Sequence, residues 1–123
     1  MADIDDVRRI ALALPEAIED ESRFRVNDKA FAWTYKEKVA GHRSRVERLD
    51  VIAVRVAEQG EKQALIAADP TKFFTTAHYD GYPAVLVRLP AIDTEELREL
   101  LTDAWRYRAP RHLVAAFDAQ SKS

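Results

Sequence analysis

The sequence has no cysteine, only three glycines and a single methionine in 123 residues. Without cysteine there is no disulfide, no thiolate metal site and no thiol nucleophile. Gly41, Gly60 and Gly81 stand singly, so no glycine-rich phosphate loop can be built. No apolar run approaches the ~20 residues that span a bilayer. The N-terminus, Met1-Ala2-Asp3-Ile4-Asp5-Asp6, is acidic and lacks the apolar core of a signal peptide. The expected location is cytoplasmic, with no membrane association. His42, His78 and His112 have no carboxylate at metal-ligand spacing. There is no His-x-x-x-His, no paired-carboxylate motif and no Gly-x-Ser-x-Gly elbow. The expectation is a non-enzymatic protein with no catalytic residue, no cofactor and no metal.

What is present suffices for one ordinary core. Hydrophobic residues make up 47% and charged residues 33%, in a length typical of one domain, here taken as residues 1–123. The net charge of −2 gives no general attraction to nucleic acid, but the charges are unevenly spread. Residues 1–22 hold seven carboxylates and two arginines; residues 36–48 hold Lys36, Lys38, Arg43, Arg45 and Arg48 against two glutamates.

Periodicity predicts the elements. Ile4, Val7, Ile10, Ala11 and Leu14 share one helical face over residues 3–14, with Asp3 as cap and Pro15 as stop. Residues 17–21 read as a short acidic edge strand. Residues 23–35 read as a hairpin turning at Asn27-Asp28, with Phe31, Trp33 and Tyr35 forming one aromatic face. Residues 36–48 read as a basic connection, and 49–56 as a central strand. Residues 58–68 form a helix with Ala64, Leu65 and Ala68 inward, and Phe73 and Phe74 plug the core from a turn. Ala84–Leu89 is the last strand. Asp93 caps a helix whose stripe is Leu97, Leu100, Leu101, Ala104 and Trp105, and a short helix follows Pro110. The fold class is α+β: an antiparallel sheet of about five strands covered by N- and C-terminal helices.

The loop before the last strand, His78-Tyr79-Asp80-Gly81-Tyr82-Pro83, admits two readings. His78 holds a backbone carbonyl while Tyr82 stacks on Pro83, or His78, Tyr79 and Tyr82 form a contact surface in which aromatics stack on bases. Gly81 is expected to supply a positive φ in either case. The basic segment is likewise either a solvated loop or a track for a phosphate backbone. Arg106, Arg108 and Arg111 suit a helix C-terminus. The acids of residues 1–22 are solvated surface, or weak oxygen ligands for a hard cation.

Several short segments in fixed order carry a resemblance. They are Ala13-Leu14-Pro15-Glu16-Ala17-Ile18-Glu19-Asp20, Phe24-Arg25-Val26-Asn27-Asp28-Lys29-Ala30-Phe31-Ala32, Pro70-Thr71-Lys72-Phe73-Phe74, His78 to Pro83, Arg88-Leu89, and Ala104-Trp105-Arg106 with Ala109-Pro110. Across almost the whole chain this pattern resembles the MmcQ/YjbR family. The resemblance implies a frataxin-like (CyaY-like) α+β fold and DNA binding through a double-wing arrangement of loops. The 78–84 loop departs from the family's lysine-bearing form in holding Asp80 and Gly81-Tyr82-Pro83, while Arg55 is similar to a basic position of the family.

The expected function is therefore non-enzymatic DNA binding. Lys36, Lys38, Arg43, Arg45 and Arg48 would contact phosphates, with Arg55, His78, Tyr79 and Tyr82 beside them. The expected partner is double-stranded DNA and the expected state a monomer, with no protein partner identified. Two alternatives stand beside it: an adaptor binding protein or a small ligand through the His78–Pro83 loop, and a frataxin-like iron-binding module built on the acidic first helix and edge strand.

Overall fold

Asp3 accepts a hydrogen bond from the Asp6 amide at 2.9 Å, and Asp6 accepts from the Asp3 amide at 3.1 Å, a reciprocal cap that starts the first helix. In the computed structural model, which describes residues 1–37, 41, 43 and 46–121 (backbone alone at 37 and 121), this is α1, Ile4–Leu12. The other helices are α2 (Gln59–Ala68), α3 (Thr94–Arg108) and α4 (Arg111–Ser121). The strands are β1 (Ile18–Asp20), β2 (Arg23–Val26), β3 (Lys29–Glu37), β4 (Val46–Arg55), β5 (Phe73–Phe74) and β6 (Ala84–Arg88). They form one antiparallel sheet in the order β1-β2-β3-β4-β6-β5.

The α+β class is as the sequence implies. The sixth strand is β5, where Phe73 and Phe74 pair with Val87 and Leu86 instead of lying in a turn. The expected hairpin closes at Asn27 and Asp28, with φ of 51° and 65°. Both are left-handed, as a two-residue turn matching strand twist requires. The basic connection is shorter than expected: β3 runs to Glu37 and β4 begins at Val46.

Apolar side chains of all four helices pack with Phe24, Ala32, Ile52, Val54, Val85 and Val87 on one sheet face. Trp105 is wholly buried there. Its ring centroid lies 5.1 Å from that of Phe117, and its Nε1 donates to the Pro15 carbonyl at 3.0 Å. One side chain thus joins α3, α4 and the turn after α1. Arg106 reinforces the join through Asp118 at 2.8 Å.

Two expectations about facing are corrected. The β2–β3 register slips between Phe24 and Arg25, so β3 carries one extra residue, Phe31. A bulge of this kind breaks strict alternation. Phe31 therefore joins Phe24 and Ala32 under the helices, while Trp33 and Tyr35 stay on the opposite face. In α2, Ala64 and Ala68 are exposed; Leu65 and Ile66 pack on the core and Lys62 is buried. No helix among the described residues is long and apolar enough to cross a membrane.

Trp105→Ala should cost about 3–5 kcal/mol of stability, the usual range for truncating a buried tryptophan. Denaturant unfolding measures it, and a drop below about 1 kcal/mol would show that the three-way join is not a main support.

Candidate functional site

Among the described residues none of the four α-helices packs on the second face of the sheet. There Trp33 lies opposite Ala53, and Ala53 opposite Leu86. With Tyr35 and Val51 they make a small apolar cluster, on which Phe74 and Tyr79 are half-buried.

Arginines punctuate this face. Arg23 pairs with Trp33, Arg48 with Tyr35 and Arg88 with Val51. Arg25 alternates with the buried Phe24 and Val26, so it too points away from the helices. The Arg55 guanidinium lies 5.7 Å from the Tyr82 ring centroid, and that of Arg88 only 4.0 Å from the Phe74 centroid. Flat guanidinium groups cover aromatic surface while keeping their donors available. Arg88 also donates to the Pro70 carbonyl at 3.2 Å. Arg48 forks onto Asp50 at 3.0 and 2.8 Å, and this arginine holds the Asp50 carboxyl below its ordinary range. Arg23, Arg25 and Arg55 have no ion-pair partner among the described residues.

The loop between β5 and β6 closes one end of the face. Trp33 Nε1 donates to the Tyr79 hydroxyl at 2.9 Å. Tyr82 meets both Trp33 and Tyr79 edge to face, each at 6.2 Å between centroids. His78 sits edge-on to Tyr79 at 5.2 Å, exposed, and its ring makes no hydrogen bond to the described residues. Tyr82 packs on these rings and on Arg55, where the alternative was stacking on Pro83. Gly81 has φ of 79°, as expected of its place in the turn.

Lys62 holds the loop in place. It is fully buried, and its Nζ donates to the carbonyls of Tyr79 at 2.5 Å and Tyr82 at 2.9 Å. Burial lowers the ammonium's pKa below its ordinary 10.5, opposed by the nearby Asp80 carboxylate. Sequence reading passed over Lys62, although it lies three and four residues before Leu65 and Ile66 and so on their stripe.

Beside the loop is an open cleft of about 550 Å³. Trp33, His78, Tyr79 and Tyr82 supply its aromatic wall, and Arg23, Lys29, Lys36 and Arg108 its cations; Glu21 and Asp28 are its acids. The nearby Glu47 accepts from the hydroxyls of Ser22 and Thr34, each at 2.9 Å, which lowers its pKa.

Of the residues singled out in the sequence, Arg55, His78, Tyr79 and Tyr82 come together, with Lys36 on the same cleft. Arg48 is on the same face but engaged by Asp50, and Arg43 is exposed between β3 and β4. Lys38 and Arg45 lie outside the described residues. Trp33, Arg23, Arg25 and Arg88 complete the face and were not singled out. Three of the acids considered for iron are tied to arginines: Asp5 and Glu19 to Arg8, Asp6 to Arg9. Among the described residues no cluster of histidines and carboxylates is placed to hold a metal ion.

Lys62→Met should speed amide exchange at Tyr82 and Ala84 while β4 keeps its rates, as read by NMR; unchanged loop rates would remove Lys62 as the clamp. The charge also has a pH signature. Just below pH 10.5 the unfolded chain holds this proton and the folded chain has begun to release it, so the contribution of Lys62 to stability rises with pH there, against the opposite contribution of Tyr107, whose phenol is pushed up to about 12. That rise should be missing in Lys62→Met.

Comparison with known proteins gives consistent results. The YjbR family model matches residues 12–107. Two mycobacterial proteins, "Uncharacterized protein Mb2600" of Mycobacterium bovis and "Uncharacterized protein Rv2570" of Mycobacterium tuberculosis, are each 44% identical over 98% of this chain and 99% of their own length. The crystal structure of Deinococcus radiodurans protein DR2400, with a DUF419 domain, superposes with a TM-score of 0.53 at 19% identity, covering 85% of this chain and 77% of that one.

Proposed function

The chain belongs to the YjbR family, and from that premise we propose that it is a non-enzymatic DNA-binding protein whose contact surface is the uncovered face of the sheet. The observation that carries this reading is the interleaving of arginine with aromatic side chains on that face: Arg23 beside Trp33, Arg48 beside Tyr35, Arg55 on Tyr82 and Arg88 on Phe74. A guanidinium resting on a ring has already given up part of its hydration and conformational freedom, so less is lost when it meets a phosphate. Lys36 and Arg43 extend the positive rim, with Lys38 and Arg45 near them in the chain. The helices' exposed carboxylates, among them Asp5 and Glu95, lie on the far side of the sheet and do not oppose this face.

A second reading has one observation in its favour. The 550 Å³ cleft falls within the roughly 300–1,000 Å³ of small-ligand sites. Its charged rim and partly open wall favour an extended polyanion over an enclosed ligand.

The double variant Lys36→Glu, Arg43→Glu should weaken binding of labelled DNA in fluorescence anisotropy. Because it removes two phosphate-binding cations, the log–log salt dependence should become shallower by about 1.4 for a single strand and about 1.8 for a duplex. An unchanged affinity and slope would count against this rim.

A further inference from the structure

Within that reading, we propose that the DNA taken by this face is single-stranded, with an unpaired base stacked on Tyr82 in the Trp33–Tyr79 cleft. The proposal rests on DNA binding by the sheet face and adds the form of the strand. In a duplex the bases show only their edges, and their faces are stacked on one another. A recessed aromatic wall finds nothing to stack on there. An unpaired strand offers a free base face at every nucleotide.

Three features of the cleft match that substrate. Tyr82 keeps 45% of its surface in solvent, although Trp33 and Tyr79 fix it edge to face and Arg55 lies over it. The ring is thus both immobile and accessible, which lowers the entropy lost on stacking. Cations border the same wall at Arg23 and Lys36, close enough in the cleft to follow the phosphates on either side of a stacked base. Arg108 also lines the cleft and adds a further cation to it.

The test uses the full chain and a fluorescein-labelled mixed-sequence 12-mer, alone and annealed to its complement, in anisotropy titrations at low salt. The single strand should bind at least about tenfold more tightly than the duplex. Tyr82→Leu removes the ring but keeps the bulk, and should weaken strand binding by about five- to a hundredfold, the range for removing one stacked base, and duplex binding by clearly less, since only the Arg55–ring contact is lost there. Tyr82→Phe keeps the ring and should bind as the parent does. Its hydroxyl makes no hydrogen bond among the described residues, so it also controls for loop damage. Duplex binding as tight as strand binding, or equal weakening of both in Tyr82→Leu, would overturn the single-strand proposal and leave DNA binding by the face standing. If neither form binds at low salt, both fall.

Discussion

All four helices bury their apolar sides against the same face of the sheet, and the other features follow from this. A central strand such as β4 has side chains on both faces, so the uncovered face must also shed water or tolerate it. Here small and aliphatic residues, Ala53, Val51 and Leu86, are roofed by Trp33, Tyr35, Phe74 and Tyr79. Guanidinium groups then cover part of what the rings leave open. Arg88 over Phe74 at 4.0 Å is the closest of these contacts. Such pairs contribute about 0.5–1 kcal/mol where exposed, so each is weakly stabilising. Their larger consequence is chemical: a face that would be an apolar patch becomes a positively charged one.

The loop that closes this face could not hold itself. Its own amides are satisfied within the turn, Tyr82 to the Tyr79 carbonyl and Ala84 to the Tyr82 carbonyl. The same two carbonyls also receive the Lys62 ammonium. A buried ammonium is costly unless it is fully hydrogen-bonded, and a charged donor to a carbonyl returns about 1.5–3 kcal/mol. Two such bonds from a rigid helix fix the loop's height above the sheet. Tyr79 then meets Trp33, and Tyr82 is held against both. The placement of Tyr82 therefore depends on a residue of another element that binds its backbone carbonyl.

The parts legible in the sequence are those governed by local rules. Caps at Asp3 and Asp93, the stripe from Leu97 to Trp105, and the left-handed pair Asn27-Asp28 each follow from one or two neighbours. Features fixed by partners far along the chain did not show. The bulge at Phe31 is a matter of register with β2, and nothing in β3 itself announces it. Glu21-Ser22 turns with φ of 49° and 68° without the residues usual for that geometry, because the β1–β2 pairing imposes it. Strand β5 is two residues long and exists through its bonds to β6. At the site, His78, Tyr79 and Tyr82 stood out as a cluster in sequence. Trp33, Arg23 and Lys62 did not, since register and helix phase bring them there.

Net charge was the least informative quantity for function. A total of −2 describes the field far from the molecule, whereas any polyanion in contact with it would meet one face. Exposed carboxylates such as Asp5 and Glu95 stand on helices beyond the sheet. A helix with its side chains is about 10 Å across, and the screening length in physiological salt is about 8 Å. The far carboxylates would therefore be largely screened from a polyanion on the open face, while Arg23, Arg55 and the rim cations would act at contact distance. The acids that do matter are Asp20 and Asp50 on that same face and Glu21 and Asp28 at the cleft, and of these Asp50 is already paired with Arg48. A chain of net charge −2 can in this way gather cations on one face of its sheet while many of its acids stand on the helices behind it.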